Sequence, residues 1–194
     1  RESAGIFDES SFAKIQVSGP RAGEFLEFVC ANDVVRGVGR AVYTQALNTK
    51  GGIEADFTVT QIAADKFLIV TGTAFAHHDS GWLKKLRREN QFTDVLIEDV
   101  TDSLAIFGIW GPKSREILQT LTTSDLSHES FPFMHSKEIE IKGIKVRATR
   151  ITYVGELGWE LYIPVSDALT VWQALFNAGG FPCGYRTIES LRLE

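Results

Sequence analysis

The stretch from Tyr43 to Val59, Y-T-Q-A-L-N-T-K-G-G-I-E-A-D-F-T-V, decides how the chain is read. Two apolar runs flank Lys50-Gly51-Gly52, and glycine supplies the positive φ that a tight hairpin turn needs. Residues two apart on a strand share a face. A strand over Ile53–Thr60 therefore puts Glu54 and Asp56 on one side and Ile53, Ala55, Phe57 and Val59 on the other. The apolar side docks on a core; the acidic side faces solvent or a pocket. Spacing alone does not separate a functional acid pair from two solvated carboxylates.

Outward from this hairpin, Phe12–Val17 alternates as a strand. Ser18-Gly19-Pro20 breaks it, and Phe25, Leu26 and Val29 recur at helical spacing, with Pro20 near the first turn where its missing N–H costs nothing. Lys66–Thr71 reads as a buried strand, Thr73–Arg88 as a helix and Val95–Val100 as a short strand. The pattern then restarts. Ser11-Phe12-Ala13 followed by Gly19-Pro20-Arg21-Ala22-Gly23-Glu24-Phe25-Leu26 matches Ser103-Leu104-Ala105 followed by Gly111-Pro112-Lys113-Ser114-Arg115-Glu116-Ile117-Leu118, offset by 92 residues. We read two copies of one strand–turn–helix unit. The second copy continues with a hairpin over Lys137–Ile141 and Lys145–Thr152 around Lys142-Gly143, a strand at Trp159–Pro164 and a helix at Asp167–Asn177. Strands joined by hairpins with one or two helices per half indicate an α+β fold with antiparallel sheets, not a doubly wound parallel sheet.

The chain has 194 residues, a net charge of −5 and a pI of about 5.4, which argues against a nucleic-acid-binding face. The basic run Lys84-Lys85-Leu86-Arg87-Arg88 falls in a helix and reads as its solvated side. No apolar run reaches membrane-spanning length. Cys30 and Cys183 have no metal-site or disulfide-framework spacing, and Cys30 reads as a small core residue. His77-His78-Asp79 does not describe a metal site, because adjacent helical residues diverge by about 100°. Both chain ends look cut, so a fragment of a longer protein is expected.

A second stretch carrying chemistry is Ile151–Ile163, I-T-Y-V-G-E-L-G-W-E-L-Y-I. Glu160 alternates with Trp159 and Leu161 just after Gly158. A carboxylate there suits a flat heterocycle with an amidine-type edge, which it meets by two parallel hydrogen bonds. The alternative is a solvated strand glutamate. Nothing resembles a P-loop, a Rossmann fingerprint or an HExxH helix.

Ala4-Gly5-Ile6-Phe7-Asp8, Val17-Ser18-Gly19-Pro20, Asn32-Asp33, Tyr43 through Leu47-Asn48-x-x-Gly51-Gly52-Ile53-x-x-Asp56, Asp99-Val100-Thr101, Tyr153-x-Gly155-Glu156-x-Gly158-Trp159-Glu160 and Ser190-Leu191-Arg192-Leu193-Glu194 together resemble the glycine-cleavage T-protein (aminomethyltransferase) family over nearly the whole chain. Gly-Gly-Ile-Glu-x-Asp-Phe-Thr-Val, with His78-Asp79 further on, is most similar to the folate-binding half of dimethylglycine and sarcosine dehydrogenases. The resemblance implies a Greek-key-like unit over residues 1–100 and a ferredoxin-like unit over 101–194, with a C-terminal barrel lying outside this chain. It implies tetrahydrofolate as cofactor, with FAD only in a separate domain, and transfer of a one-carbon unit from a small amine such as a demethylated glycine derivative. By the same resemblance Asp56 is the catalytic carboxylate, Tyr43 and Tyr153 line the folate site and Glu160 pairs with the pterin edge. Where the family often has an Arg-Asp pair this chain has Ile188 and Glu189; Arg186 is the nearby candidate for that carboxylate contact. The implied partners are tetrahydrofolate, the amine and further domains of the same polypeptide, without nucleic acid or membrane. The implied compartment is the cytoplasm, or the mitochondrial matrix in a eukaryote. Open alternatives are a non-catalytic folate-binding or structural module of a flavin-dependent amine dehydrogenase, and a sulfonium in place of the amine donor. A module for iron–sulfur cluster maintenance is disfavoured, since Phe181-Pro182-Cys183-Gly184-Tyr185-Arg186 stands where those relatives carry Lys-Gly-Cys-Tyr-x-Gly-Gln-Glu.

Overall fold

The computed structural model describes residues 1–194, which form two compact units, one of Phe12–Thr101 and one of Arg1–Ser11 with Asp102–Glu194. The division expected at residue 100 therefore differs at the N-terminus, where the first eleven residues join the second unit.

In the Phe12–Thr101 unit, Gly5–Asp8 (β1) having been left to the other unit, the elements are Ala13–Ser18 (β2), Ala22–Val29 (α1), Ala41–Leu47 (β3), Ile53–Ala63 (β4), Lys66–Thr71 (β5), Ala76–Glu89 (α2) and Leu96–Asp99 (β6). Its five-stranded sheet has the order β3-β4-β5-β2-β6, with every pairing antiparallel. Ile15, Val17, Phe57, Val59, Phe67 and Ile69 alternate onto one face and pack with Phe25, Leu26 and Leu83 of the two helices. Each such side chain contributes roughly 1.5–3 kcal/mol on leaving water. The expected hairpin is present, but Ile53 does not join the core face and is 67% exposed. The register shifts between Ala46 and Leu47, whose partners are Ala55 and Ile53, so an extra β4 residue interrupts the alternation. Phe75, inside the span read as the Thr73–Arg88 helix, is also exposed, in a 3-10 turn before α2.

In the other unit the elements are β1, then Leu104–Trp110 (β7), Ser114–Gln119 (α3), Ser136–Ile141 (β8), Ile144–Thr149 (β9), Gly158–Pro164 (β10), Ala168–Asn177 (α4), Phe181–Cys183 (β11) and Tyr185–Leu193 (α5). The sheet order is β11-β1-β7-β10-β9-β8. Set beside the first sheet, it repeats the same succession with β1 inserted between the equivalents of β2 and β6. The duplication legible in the sequence is thus a duplication of topology. Ile6, Phe107, Ile109, Trp159, Leu161 and Ile163 face a core closed by Leu118 and Leu175.

The repeated Gly-Pro has the same physical cause in both units. Gly19 has φ +126° and Gly111 φ +139°, a region L side chains rarely adopt. A Cβ at Gly19 would stand 2.1 Å from the Asp94 carbonyl oxygen, and one at Gly111 2.1 Å from that of Ser3. Each glycine lets its strand–helix turn press against the segment leading into the neighbouring strand.

Candidate functional site

In the Phe12–Thr101 unit the β3–β4 hairpin carries the expected acids. Asp56 is exposed opposite Gln45, and Tyr43 lies opposite Thr58. The Tyr43 hydroxyl reaches diagonally across the two strands and donates to Asp56 Oδ2 at 2.6 Å. Diagonal cross-strand neighbours are within reach of a tyrosine, so the thirteen-residue spacing becomes a contact through the hairpin alone. The carboxylate is oriented by a phenol while remaining open to solvent.

Beside it, Asn48 Nδ2 donates to Glu54 Oε1 at 2.9 Å, and Glu54 Oε2 lies 3.8 Å from His78 Nε2. His78 Nδ1 lies 2.9 Å from Oδ1 of the buried Asp79, whose Oδ2 accepts the Thr71 hydroxyl at 2.6 Å. Sequence reasoning set this His-Asp pair aside as metal ligands. Its arrangement is instead an imidazole held by a buried carboxylate, and the adjacent acid after a histidine was the one visible signal.

In the other unit, Glu160 lies on β10 with Gly108 as its partner on β7 and Thr149 on β9. It is only 9% exposed, so the solvated-glutamate reading is overturned. Strands pair with β10 on both sides, and residues on both of its faces are buried. The Tyr162 hydroxyl donates to Glu160 Oε2 at 2.5 Å. Burial raises the Glu160 carboxyl above its ordinary range, against the lowering pull of that hydrogen bond. Burial also pushes the Tyr162 phenol well up, helped by the charge of Glu160.

Tyr153 is half exposed in the loop before β10, and the Arg192 guanidinium stands 6.0 Å from its ring. Ile188, where the resemblance leads us to expect an arginine, is buried against Phe7, Trp110 and Val154. Arg186 is exposed on α5, two residues and about 200° around the helix from Ile188, so its guanidinium leaves the helix on another side. A cavity of about 460 Å³ in this unit is lined by Phe7, Trp110, Val154 and Leu191, with Arg1 and Glu156 at its polar side. Burial pushes the Cys30 thiol up to about 12, which leaves it without nucleophilic character at neutral pH.

A match to the GCVT N-terminal domain covers residues 1–194. The chain belongs to this family. It is 36% identical over 194 residues to the mitochondrial dimethylglycine dehydrogenase of Rattus norvegicus, covering 98% of this chain and 22% of that protein. It is 36% identical over 200 residues to the aminomethyltransferase of Desulforamulus reducens, covering 100% of this chain and 53% of that protein. The crystal structure of glycine cleavage system aminomethyltransferase T from Bartonella henselae superposes with a TM-score of 0.86 at 27% identity, covering all of this chain and 51% of that one. This GCVT-family chain thus spans about half the length of the aminomethyltransferase and about a fifth of the dehydrogenase. Its mixed α/β architecture with antiparallel sheets and packed helices is that of the T-protein.

Proposed function

We propose that this GCVT-family domain binds tetrahydrofolate and takes part in transferring a one-carbon unit from a small amine, as one part of a larger polypeptide. The observation that carries this reading is the Tyr43–Asp56 pair, an exposed carboxylate oriented by a phenol at the hairpin position where the resemblance puts the catalytic acid. When bound, the folate supplies the acceptor nitrogen for the one-carbon unit. The buried acids of the second unit fit such a group, because a carboxyl without a hydrogen-bonding partner beside Glu160 suits a ring edge rich in N–H donors.

In this reading Asp56 accepts and returns a proton at its Oδ atoms as the amine is released, and the Tyr43 hydroxyl holds the carboxylate in one orientation. Glu160, with Oε2 held by Tyr162, offers Oε1 to the pterin edge. Tyr153 lines the site with its half-exposed ring. Arg186 is the candidate contact for a carboxylate on the ligand. Positioning the two reactants supplies a large part of the acceleration, on the order of 7–11 kcal/mol in favourable intramolecular cases.

The experiment is methylene transfer by the full-length protein, measured as tetrahydrofolate-dependent suppression of free formaldehyde. Suppression by the wild type that disappears in Asp56→Asn supports the reading. Formaldehyde release indifferent to tetrahydrofolate in the wild type rejects it.

A further inference from the structure

The second unit buries a carboxyl group that the chain itself leaves without a partner. Glu9 is 1% exposed, and neither Oε1 nor Oε2 has a hydrogen-bonding partner. Its backbone is well fixed, since Glu9 N donates to Ile106 O at 2.9 Å and continues the β1–β7 pairing by one residue. A buried, unpaired carboxyl costs several kcal/mol whether it is desolvated as an ion or forced to hold a proton. Native structures tolerate such a group where something outside the chain completes it.

The location is specific. β1 and β10 flank β7, so their backbones lie roughly 9–10 Å apart. Gly108 is the β7 residue between them, partnered with Phe7 on one side and Glu160 on the other. Having no side chain, Gly108 lets the Trp110 ring and the Glu9 carboxyl close over β7. A Cβ built there would stand 3.0 Å from Glu9 Oε2 and 2.9 Å from the Trp110 ring. On the sheet face that carries Phe7 and Trp110, Glu9 Oε2 thus reaches the Gly108 position from the β1 side, while Glu160 is the β10 partner of the same glycine. They sense each other: the charge of Glu160 adds to burial in holding the Glu9 carboxyl well above its ordinary range, with a smaller contribution from Asp8. Phe7 and Trp110, on this face, are also walls of the 460 Å³ cavity, which neither Glu9 nor Glu160 lines.

We infer that Glu9 is a second ligand-binding acid, which works beside Glu160 and takes its missing hydrogen bonds from a flat heterocycle. The inference rests on the folate reading above and deepens it. One carboxylate satisfies one pair of N–H donors. Two acids over one glycine suit an edge with more than one such pair, or an edge that sets an N–H beside a ring nitrogen. For the latter a protonated carboxyl is the matching group, donating its O–H to the ring nitrogen and accepting from the N–H. A pterin edge presents both patterns.

The test is calorimetric binding of tetrahydrofolate to wild type, Glu9→Gln, Glu9→Leu and Glu160→Gln, with the melting temperature of each unliganded protein. We expect Glu9→Gln and Glu9→Leu to lose about tenfold or more in affinity, in line with a hydrogen bond to an acid. We also expect unliganded Glu9→Leu to melt at or above the wild-type temperature, because it removes an unpaired buried carboxyl. Lower affinity at undiminished stability is the signature of a group kept for a ligand. If Glu160→Gln loses affinity while Glu9→Gln stays within twofold of wild type, Glu9 is not a ligand contact and the folate reading survives. Should Glu9→Leu melt lower with binding unchanged, the residue is structural. Should the wild type fail to bind tetrahydrofolate, or bind it equally well without the Glu160 carboxylate, the folate reading falls and this inference with it.

Discussion

Tyr43 and Asp56 are bonded at 2.6 Å although they are not cross-strand partners, for Asp56 stands opposite Gln45 and Tyr43 opposite Thr58. The phenol spans the diagonal, and both residues are solvent-exposed. A bond of this kind contributes little to stability but fixes a carboxylate in space, which is what a proton-transfer group needs.

Asp56→Asn in the full-length protein is expected to lose methylene transfer by about 10²–10⁴-fold, the usual worth of a placed acid–base group, while retaining folate binding. Tyr43→Phe should show a smaller loss of the same kind, since the carboxylate remains but its orientation is freed. Formaldehyde trapping by Asp56→Asn at the wild-type rate would remove Asp56 from the chemistry.

Glu160→Gln is expected to weaken tetrahydrofolate binding by about 1.5–3 kcal/mol, the range for a hydrogen bond to a charged group. Tyr162→Phe should weaken it less, because it takes the partner from Oε2 and leaves the carboxylate in place. Calorimetry decides, and a Glu160→Gln Kd within twofold of wild type would count against the pterin contact.

The raised Glu9 carboxyl has a consequence for stability against pH. Above the ordinary carboxylate range the unfolded chain has lost this proton, while the folded protein still holds it. Stability therefore falls as pH rises toward the raised value, and Glu160, raised for the same reason, adds to the trend. Melting temperatures of the unliganded protein should decline as the pH rises above the ordinary carboxylate range, where the other carboxylates have already ionised. Glu9→Gln should decline less steeply, and an equal slope in the two proteins would show that Glu9 is not the group responsible.

The two turn glycines give a matched pair of stability tests. Gly19→Ala and Gly111→Ala each combine a disfavoured φ with a Cβ 2.1 Å from a carbonyl oxygen. Each should cost about 2–5 kcal/mol, strain and overlap together, seen as a lower denaturant midpoint. A cost under about 0.5 kcal/mol, the level of an ordinary surface change, would mean the turn relaxes freely.

The sequence by itself determined the hairpin, the duplicated strand–turn–helix unit and the α+β class, because hydrophobic period and turn residues act over a few neighbouring positions. It also put Asp56 and Tyr43 on one hairpin, where local strand pairing is enough to join them. The tertiary structure decided what depends on distant segments. β1, only four residues long, gives no periodic signal, and its place between β7 and β11 follows from pairing with strands about a hundred or more residues away. The burial of Glu160 follows from β10 lying inside a sheet covered on both faces, which alternation of polar and apolar residues cannot reveal. Glu9 is one acid among many in the sequence. Only the meeting of β1, β7 and β10 at a glycine makes it a buried carboxyl without a partner, because hydrogen-bond satisfaction is a property of the assembled sheet and not of any one strand.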